Sequence, residues 1–250
     1  MTASVKQEAH RSAIDDIQLP SWRHVFKLDP DKEISDEALD KVCLSGTDAI
    51  IVGGSSGITF DNTVDLMARI RRYELPVVQE VSDLDAVVPG FDAYLIPMVL
   101  NTTNPDWLVG QHQRAIEQYG YMMPWDLLIP EGYLILNPEC TAAKVSEAKA
   151  NLTKKEAVAY AQVADKLMRL PLVYVEYSGA FGDMDAVKAI RTAMSQAFVI
   201  YGGGVTTVEQ AQEAAEAADI VVVGNIIYED MAAALATVNA VKAVAIEDNI

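Results

Sequence analysis

Residues 198–225 read FVIYGGGVTTVEQAQEAAEAADIVVVGN. A short β-rich run, Phe198 to Tyr201, stops at Gly202-Gly203-Gly204; a segment of helical period follows from Thr207 to Ala217; a second β-rich run, Ile220 to Val223, stops at Gly224-Asn225 just before another helix. Strand, crossover helix and strand, with glycines closing each strand, is the repeating unit of a parallel sheet. Working back from that unit, six more strand candidates stand at His24 to Lys27, Ala49 to Val52, Pro76 to Val81, Ala93 to Val99, Tyr133 to Leu136 and Leu172 to Tyr177. Helical patterns separate most of them: Ser35 to Leu44, Asn62 to Arg72, Trp107 to Tyr119, Lys154 to Leu170 and Asp183 to Met194, with Glu229 to Val241 after the last strand. The stretch from Glu80 to Tyr94 is short and broken by Pro89-Gly90, so the crossover helix after the third strand is expected to be reduced or missing.

Eight such strands fit either an open doubly wound sheet or a closed barrel. No G-x-G-x-x-G turn follows the first strand and no G-x-x-x-x-G-K-S/T loop occurs, so the expected fold is α/β, a single (β/α)8 TIM barrel over residues 21–250. Residues 1–20 are read as a polar N-terminal extension carrying Glu8, Asp15 and Asp16. With 51% hydrophobic residues the chain has ample material for a core, and disorder is excluded for its bulk. A net charge of -17 excludes a nucleic-acid binder, which needs a basic footprint. Cys43 and Cys140 are too few for a disulfide framework, and no apolar run reaches the ~18 residues of a membrane span, so a cytoplasmic protein is expected.

In such a barrel the active site is built at the carboxyl ends of the strands, with a phosphate site commonly formed after strands seven and eight. Gly202-Gly203-Gly204 and Gly224-Asn225 stand there; they are either plain tight turns or a nest of backbone N–H groups that holds a phosphate without a basic side chain. At the end of strand one, Lys27 and Asp29 share a side by the period-two rule, so a cation and an acid face the same space; the alternative is an ordinary Asp-Pro turn. Lys27 suits a phosphate and Asp29 a Mg²⁺. Strand two ends in Gly53-Gly54-Ser55-Ser56-Gly57. In strand six, alternation puts Tyr174, Glu176 and Ser178 on one face, opposite Val173, Val175 and Tyr177. A mid-strand carboxylate is either a satisfied core acid or a group held to accept a proton from a hydroxyl substrate. His10, His24 and His112 lack a triad context and are read as structural or surface residues.

On the blocks HVFKLDP (24–30), TDAIIVGGSSG (47–57), YVEYSG (174–179), YGGGV (201–205) and VGNIIYED (223–230), the sequence resembles the geranylgeranylglyceryl/heptaprenylglyceryl phosphate synthase family, and more closely its bacterial heptaprenylglyceryl branch. The resemblance runs from about Trp22 to Lys242. It implies a Mg²⁺-dependent transfer of a heptaprenyl group from its diphosphate to the primary hydroxyl of sn-glycerol 1-phosphate. It further implies that Lys27, Tyr174, Val175, Glu176, Tyr177, Ser178, Gly179, Gly204, Gly224 and Asn225 contact glycerol phosphate and that Asp29 and Ser55 serve the metal. Bacterial relatives often have Ser-Asp where this chain has Ser55-Ser56. Glu176 is the expected catalytic residue. A homodimer is implied, as is a transient membrane-surface contact for release of a lipid product. On the helix from Trp107 to Tyr119, Leu108, His112, Ala115, Ile116 and Tyr119 share a face. Ala115 either packs against a neighbouring helix or, as the resemblance implies, leaves open the groove that a bulky aromatic blocks in shorter-chain archaeal relatives.

Competing expectations are the same reaction with a geranylgeranyl donor, an isomerase or Schiff-base aldolase with Lys27 as nucleophile, and a barrel that binds a phosphometabolite without turning it over. Any side chain at Gly204 is expected to fill the phosphate space while leaving the fold intact.

Overall fold

A parallel sheet must bury both faces, and a closed barrel does so by turning one face into a lumen and covering the other with helices. The computed structural model, which describes residues 12–245, does this with eight strands: β1 His24–Leu28, β2 Ala49–Val52, β3 Val77–Glu80, β4 Ala93–Val99, β5 Leu128–Ile135, β6 Leu172–Glu176, β7 Phe198–Gly202 and β8 Ile220–Val223. Each pairs in parallel with the next, and β8 returns to β1 through Phe26 opposite Val223, so the barrel is closed. Val25, Ile51, Val78, Leu95, Ile129, Leu172, Ile200 and Val222 pack inside. Their chain neighbours Phe26, Ile50, Val77, Val173, Val199 and Val221 pack outward with the helices.

The helices begin where short polar side chains satisfy free backbone N–H groups. Thr59 and Asn62 form a capping box for α3 (Phe60–Ile70), after α1 (Ala13–Asp16) and α2 (Asp36–Cys43). α4 (Gly110–Tyr119) and α5 (Thr141–Ser146) follow, and Thr153 with Glu156 boxes the start of α6 (Lys154–Gln162). α7 (Met184–Ala193), α8 (Val208–Ala217), α9 (Ile226–Glu229) and α10 (Met231–Lys242) complete the ring. The helix expected from Lys154 to Leu170 ends early, giving way to a π-helical turn at Val163–Met168.

Between β3 and β4 the crossover is a single 3-10 turn, Leu84–Ala86, the reduction expected from Pro89-Gly90. On the outer face of β4, Ile96 and Met98 are only half-buried.

Two local readings change. Residues 1–11, with His10, lie outside the described residues, but residues 12–20 are not the polar extension expected: Ser12 caps α1, and Ala13, Ile17 and Leu19 are buried with Trp22 against lumen side chains. The Trp22 indole donates to the carbonyl of Ile17 at 3.1 Å. The acids of this segment mask an apolar spacing that closes the end where β1 begins. Strand β5, expected from Tyr133, starts at Leu128. Pro130 and Gly132 read as breakers, yet Gly132 sits in the strand because a Cβ there would come within 2.9 Å of the Ala164 side chain in the π-helical turn. That extension places Glu131 on the lumen face.

Candidate active site

Period-two alternation sends Lys27 of β1, Glu80 of β3, Glu131 and Tyr133 of β5, and Tyr174 and Glu176 of β6 into the lumen. Lys27 Nζ donates to Glu80 Oε1 at 2.6 Å and lies 5.5 Å from the centre of the Tyr174 ring. The Tyr174 and Tyr133 rings stack with centroids 4.8 Å apart. Tyr133 donates its hydroxyl to Glu176 Oε2 at 2.6 Å, and the backbone N–H of Ser178 donates to Oε1. Burial, then the nearby Glu176, raises the pKa of the Tyr133 phenol well above its usual value, so it remains a donor. Burial works against the Lys27 ammonium, but Glu80 first and then Glu176 offset it and its pKa is raised.

Sequence reasoning singled out Lys27, Tyr174 and Glu176 but not Glu80, Glu131 or Tyr133. Glu80 was legible, since counting by two from Val78 puts it on the lumen face. Glu131 was hidden by the late strand start. Val175 and Tyr177 turn their side chains toward the helix layer, while Ser178 and Gly179 stand exposed at the rim. Gly179 has a φ of +87°, and the preceding carbonyl of Ser178 is held by Asn137 Nδ2 at 2.6 Å.

Asp29 lies past the end of β1. Its backbone N–H donates to the Tyr228 hydroxyl at 2.9 Å, and its Oδ1 accepts from the N–H of Asp31 at 3.0 Å. A Cβ on Gly54 would come within 2.6 Å of Asp29 Oδ1, so the glycine lets the carboxylate sit against the turn that carries Ser55. Across the rim, Lys32 Nζ donates to Asn225 Oδ1 at 2.7 Å. Among the described residues no group of three or more His, Cys, Asp or Glu could hold a metal by itself. One carboxylate and a neighbouring hydroxyl remain, a hard-oxygen set open to further ligands.

The glycine triplet has a reason other than the expected one. A Cβ on Gly202 would strike the Tyr174 hydroxyl at 2.1 Å, and one on Gly204, where φ is +46°, would strike the Ala180 carbonyl carbon at 2.3 Å. The side chain at 204 would therefore meet the backbone after β6 rather than a phosphate. Gly204→Val should displace the 177–182 loop, lowering stability by about 3 kcal/mol or more and weakening together the binding of any phosphate at this rim. A variant with wild-type unfolding midpoint and weakened binding alone would count against this account. Gly224 is roomier, its nearest neighbour being the Lys27 carbonyl at 3.7 Å.

α4 buries none of its side chains fully. His112 Nε2 lies 3.1 Å from the Pro97 carbonyl, so that side of α4 faces the half-buried part of β4. Ala115, one turn later, is half-buried. Val109, Ile116, Tyr121, Met122 and Trp125 are exposed around it.

A family model described as the PcrB family matches residues 17–242. The chain belongs to the PcrB family. The chain is similar to a heptaprenylglyceryl phosphate synthase of Brevibacillus brevis, 56% identical over 226 residues, covering 90% of this chain and 98% of the relative. One of the same name from Bacillus thuringiensis is 53% identical over 224 residues with the same coverage. Among solved structures, (S)-3-O-geranylgeranylglyceryl phosphate synthase from Thermoplasma acidophilum, in complex with its substrate sn-glycerol-1-phosphate, superposes with a TM-score of 0.83 at 26% identity, covering 94% of this chain and 100% of that one. The barrel expected from the alternation is thus the fold of this PcrB-family chain. Among the described residues no helix is long and apolar enough to cross a membrane.

Proposed function

We propose that this PcrB-family chain is a prenyltransferase that joins a heptaprenyl group, delivered as its diphosphate, to the primary hydroxyl of sn-glycerol 1-phosphate. The observation that carries the reading is Glu176, held by Tyr133 and Ser178 at the carboxyl end of a barrel whose seventh and eighth strands end in glycine turns. Relatives named for this reaction at 53–56% identity support it.

In the step, the glycerol oxygen bonds to C1 of the prenyl chain as the bond from C1 to the diphosphate oxygen breaks. The hydroxyl proton goes to the Glu176 carboxylate. Backbone N–H groups at Gly204, Gly224 and Asn225 orient the glycerol phosphate, and positioning supplies much of the rate. Lys27 adds a cation at the floor of that site. Asp29 and Ser55 fit Mg²⁺, which is commonly held by one or two carboxylates with substrate phosphates and water. When bound, the ion neutralises the charge of the diphosphate. A Schiff-base nucleophile at Lys27 is disfavoured: such a lysine needs a lowered pKa, and this one is bonded to Glu80 with its pKa raised.

The donor's tail runs along the half-buried outer face of β4 beside α4. Full burial at roughly 0.8 kcal/mol per CH₂ would exceed any practical affinity, so a half-open groove suits a long chain better than a closed one. Ala115 keeps that groove open; Ala115→Trp should shift preference to shorter diphosphates by about tenfold in kcat/KM, read from competing labelled donors. A folded variant that still prefers the long donor removes Ala115 as the length gauge. The exposed Tyr121, Met122 and Trp125 give the lipid product an apolar exit toward a membrane surface, and the enzyme is read as a cytoplasmic homodimer. The deciding test incubates the protein with sn-glycerol 1-phosphate, labelled C20 and C35 diphosphates and Mg²⁺, with and without a chelator. An ether-linked C35 product is expected; no product with any donor overturns the reading, and a preference for C20 overturns the chain length.

A further inference from the structure

Among the described residues the lumen holds three carboxylates, Glu80, Glu131 and Glu176, against one ammonium, Lys27. Glu80 takes that ammonium, and Glu176 takes the Tyr133 hydroxyl and the Ser178 N–H. Glu131 takes nothing: it is fully buried, and neither carboxyl oxygen has a hydrogen-bond partner. Among the described residues the elements around it offer no second cation. Lys27 faces it from β1, Glu80 from β3, Tyr133 from its own strand, and Tyr174 and Glu176 from β6, while β2, β4, β7 and β8 present Ile51, Leu95, Ile200 and Val222. An ionised carboxylate in that setting bears a desolvation cost that an un-ionised one largely avoids.

We infer that Glu131 stands in the lumen as an uncharged carboxylic acid, a fixed neutral group beneath the site that leaves the glycerol proton to Glu176. Burial, then repulsion from Glu80, raises the Glu131 pKa well above the usual carboxyl range, in the same direction as the geometry. The consequence for function rests on the proposed reaction. A protonated Glu131 cannot take a second proton, and its neutrality leaves the Lys27–Glu80 pair balanced instead of drawing Lys27 further from the rim. Glu131 thus touches no reacting atom; what it fixes is the charge of the lumen beneath the site.

The charge state is tested without turnover, so its failure is distinct from failure of the reaction assignment. Above the ordinary carboxyl pKa of about 4.3, unfolding exposes Glu131 and releases its proton. Stability conferred by the protonated group is therefore complete below that value and is lost as pH rises toward the folded-state pKa. Denaturant unfolding of wild type and Glu131→Gln across about pH 5 to 8 should show the variant gaining on wild type by about tenfold in the unfolding constant per pH unit. Glu131→Met provides the same comparison if the amide does not fold. Infrared spectra of the intact wild type at neutral pH should contain the carbonyl band of an un-ionised carboxyl, missing from the variant. A flat stability difference, or no such band in wild type, overturns the charge state. Turnover should stay within about threefold of wild type with an unshifted pH profile. A folded Glu131→Gln that loses more than about tenfold overturns the assignment of the proton to Glu176 alone.

Discussion

Glu176→Gln is expected to lower kcat for ether formation by about 10²–10⁴-fold, the usual worth of a positioned general base, while leaving KM for sn-glycerol 1-phosphate within a few-fold. In the proposed reaction the amide would still hydrogen-bond the substrate hydroxyl but could not take its proton. Tyr133 and the Ser178 N–H now donate to the two carboxylate oxygens, and glutamine offers one acceptor for both. A stability loss of about 1–3 kcal/mol should accompany the kinetic one. Tyr133→Phe in the same background should recover part of the stability and none of the turnover, which separates the two effects. Turnover within about threefold of wild type would remove Glu176 as the base.

Lys27→Met should produce the second large effect. The Lys27–Glu80 contact is 2.6 Å, with the side chains 18% and 6% exposed, so removing the ammonium leaves a carboxylate unpaired in the lumen. Breaking such a pair costs about 3 kcal/mol, the low end of the usual range because Lys27 keeps some contact with solvent. Lys27→Met with Glu80→Gln removes both charges and should return to within about 1 kcal/mol of wild type, since replacing a whole buried pair is often neutral. The two roles assigned to Lys27 then part. If it binds the glycerol phosphate, affinity stays at least about tenfold weaker in the stable double variant. If it only balances Glu80, isothermal titration with sn-glycerol 1-phosphate will show the affinity restored along with the stability.

The strands and their glycine turns are local facts, and local rules found them. Alternation in Leu172–Glu176 fixes Tyr174 and Glu176 on one face before any partner strand is known, because successive Cβ atoms point to opposite sides. The run Ile220–Val223 before Gly224-Asn225, repeated along the chain with helical periods between, selects a parallel barrel. Pro89-Gly90 likewise announces the reduced crossover between β3 and β4.

What alternation cannot supply is which inward residues meet. Lys27 and Glu80 are 53 positions apart, and Tyr133 and Glu176 are 43 apart. They touch because the fixed register of β1, β2 and β3, and of β5 and β6, brings inward residues from different strands together in the lumen. Gly204 shows the same limit: its sequence reads as an open anion nest, but tertiary packing puts the Ala180 backbone where its side chain would go. The sequence by itself determined the barrel, the lumen-facing Glu176 and the family. Tertiary structure alone decided that Lys27 is partnered by Glu80, that Glu131 has no partner, and that residues 12–21 close the barrel, because each depends on where distant strands stop relative to one another.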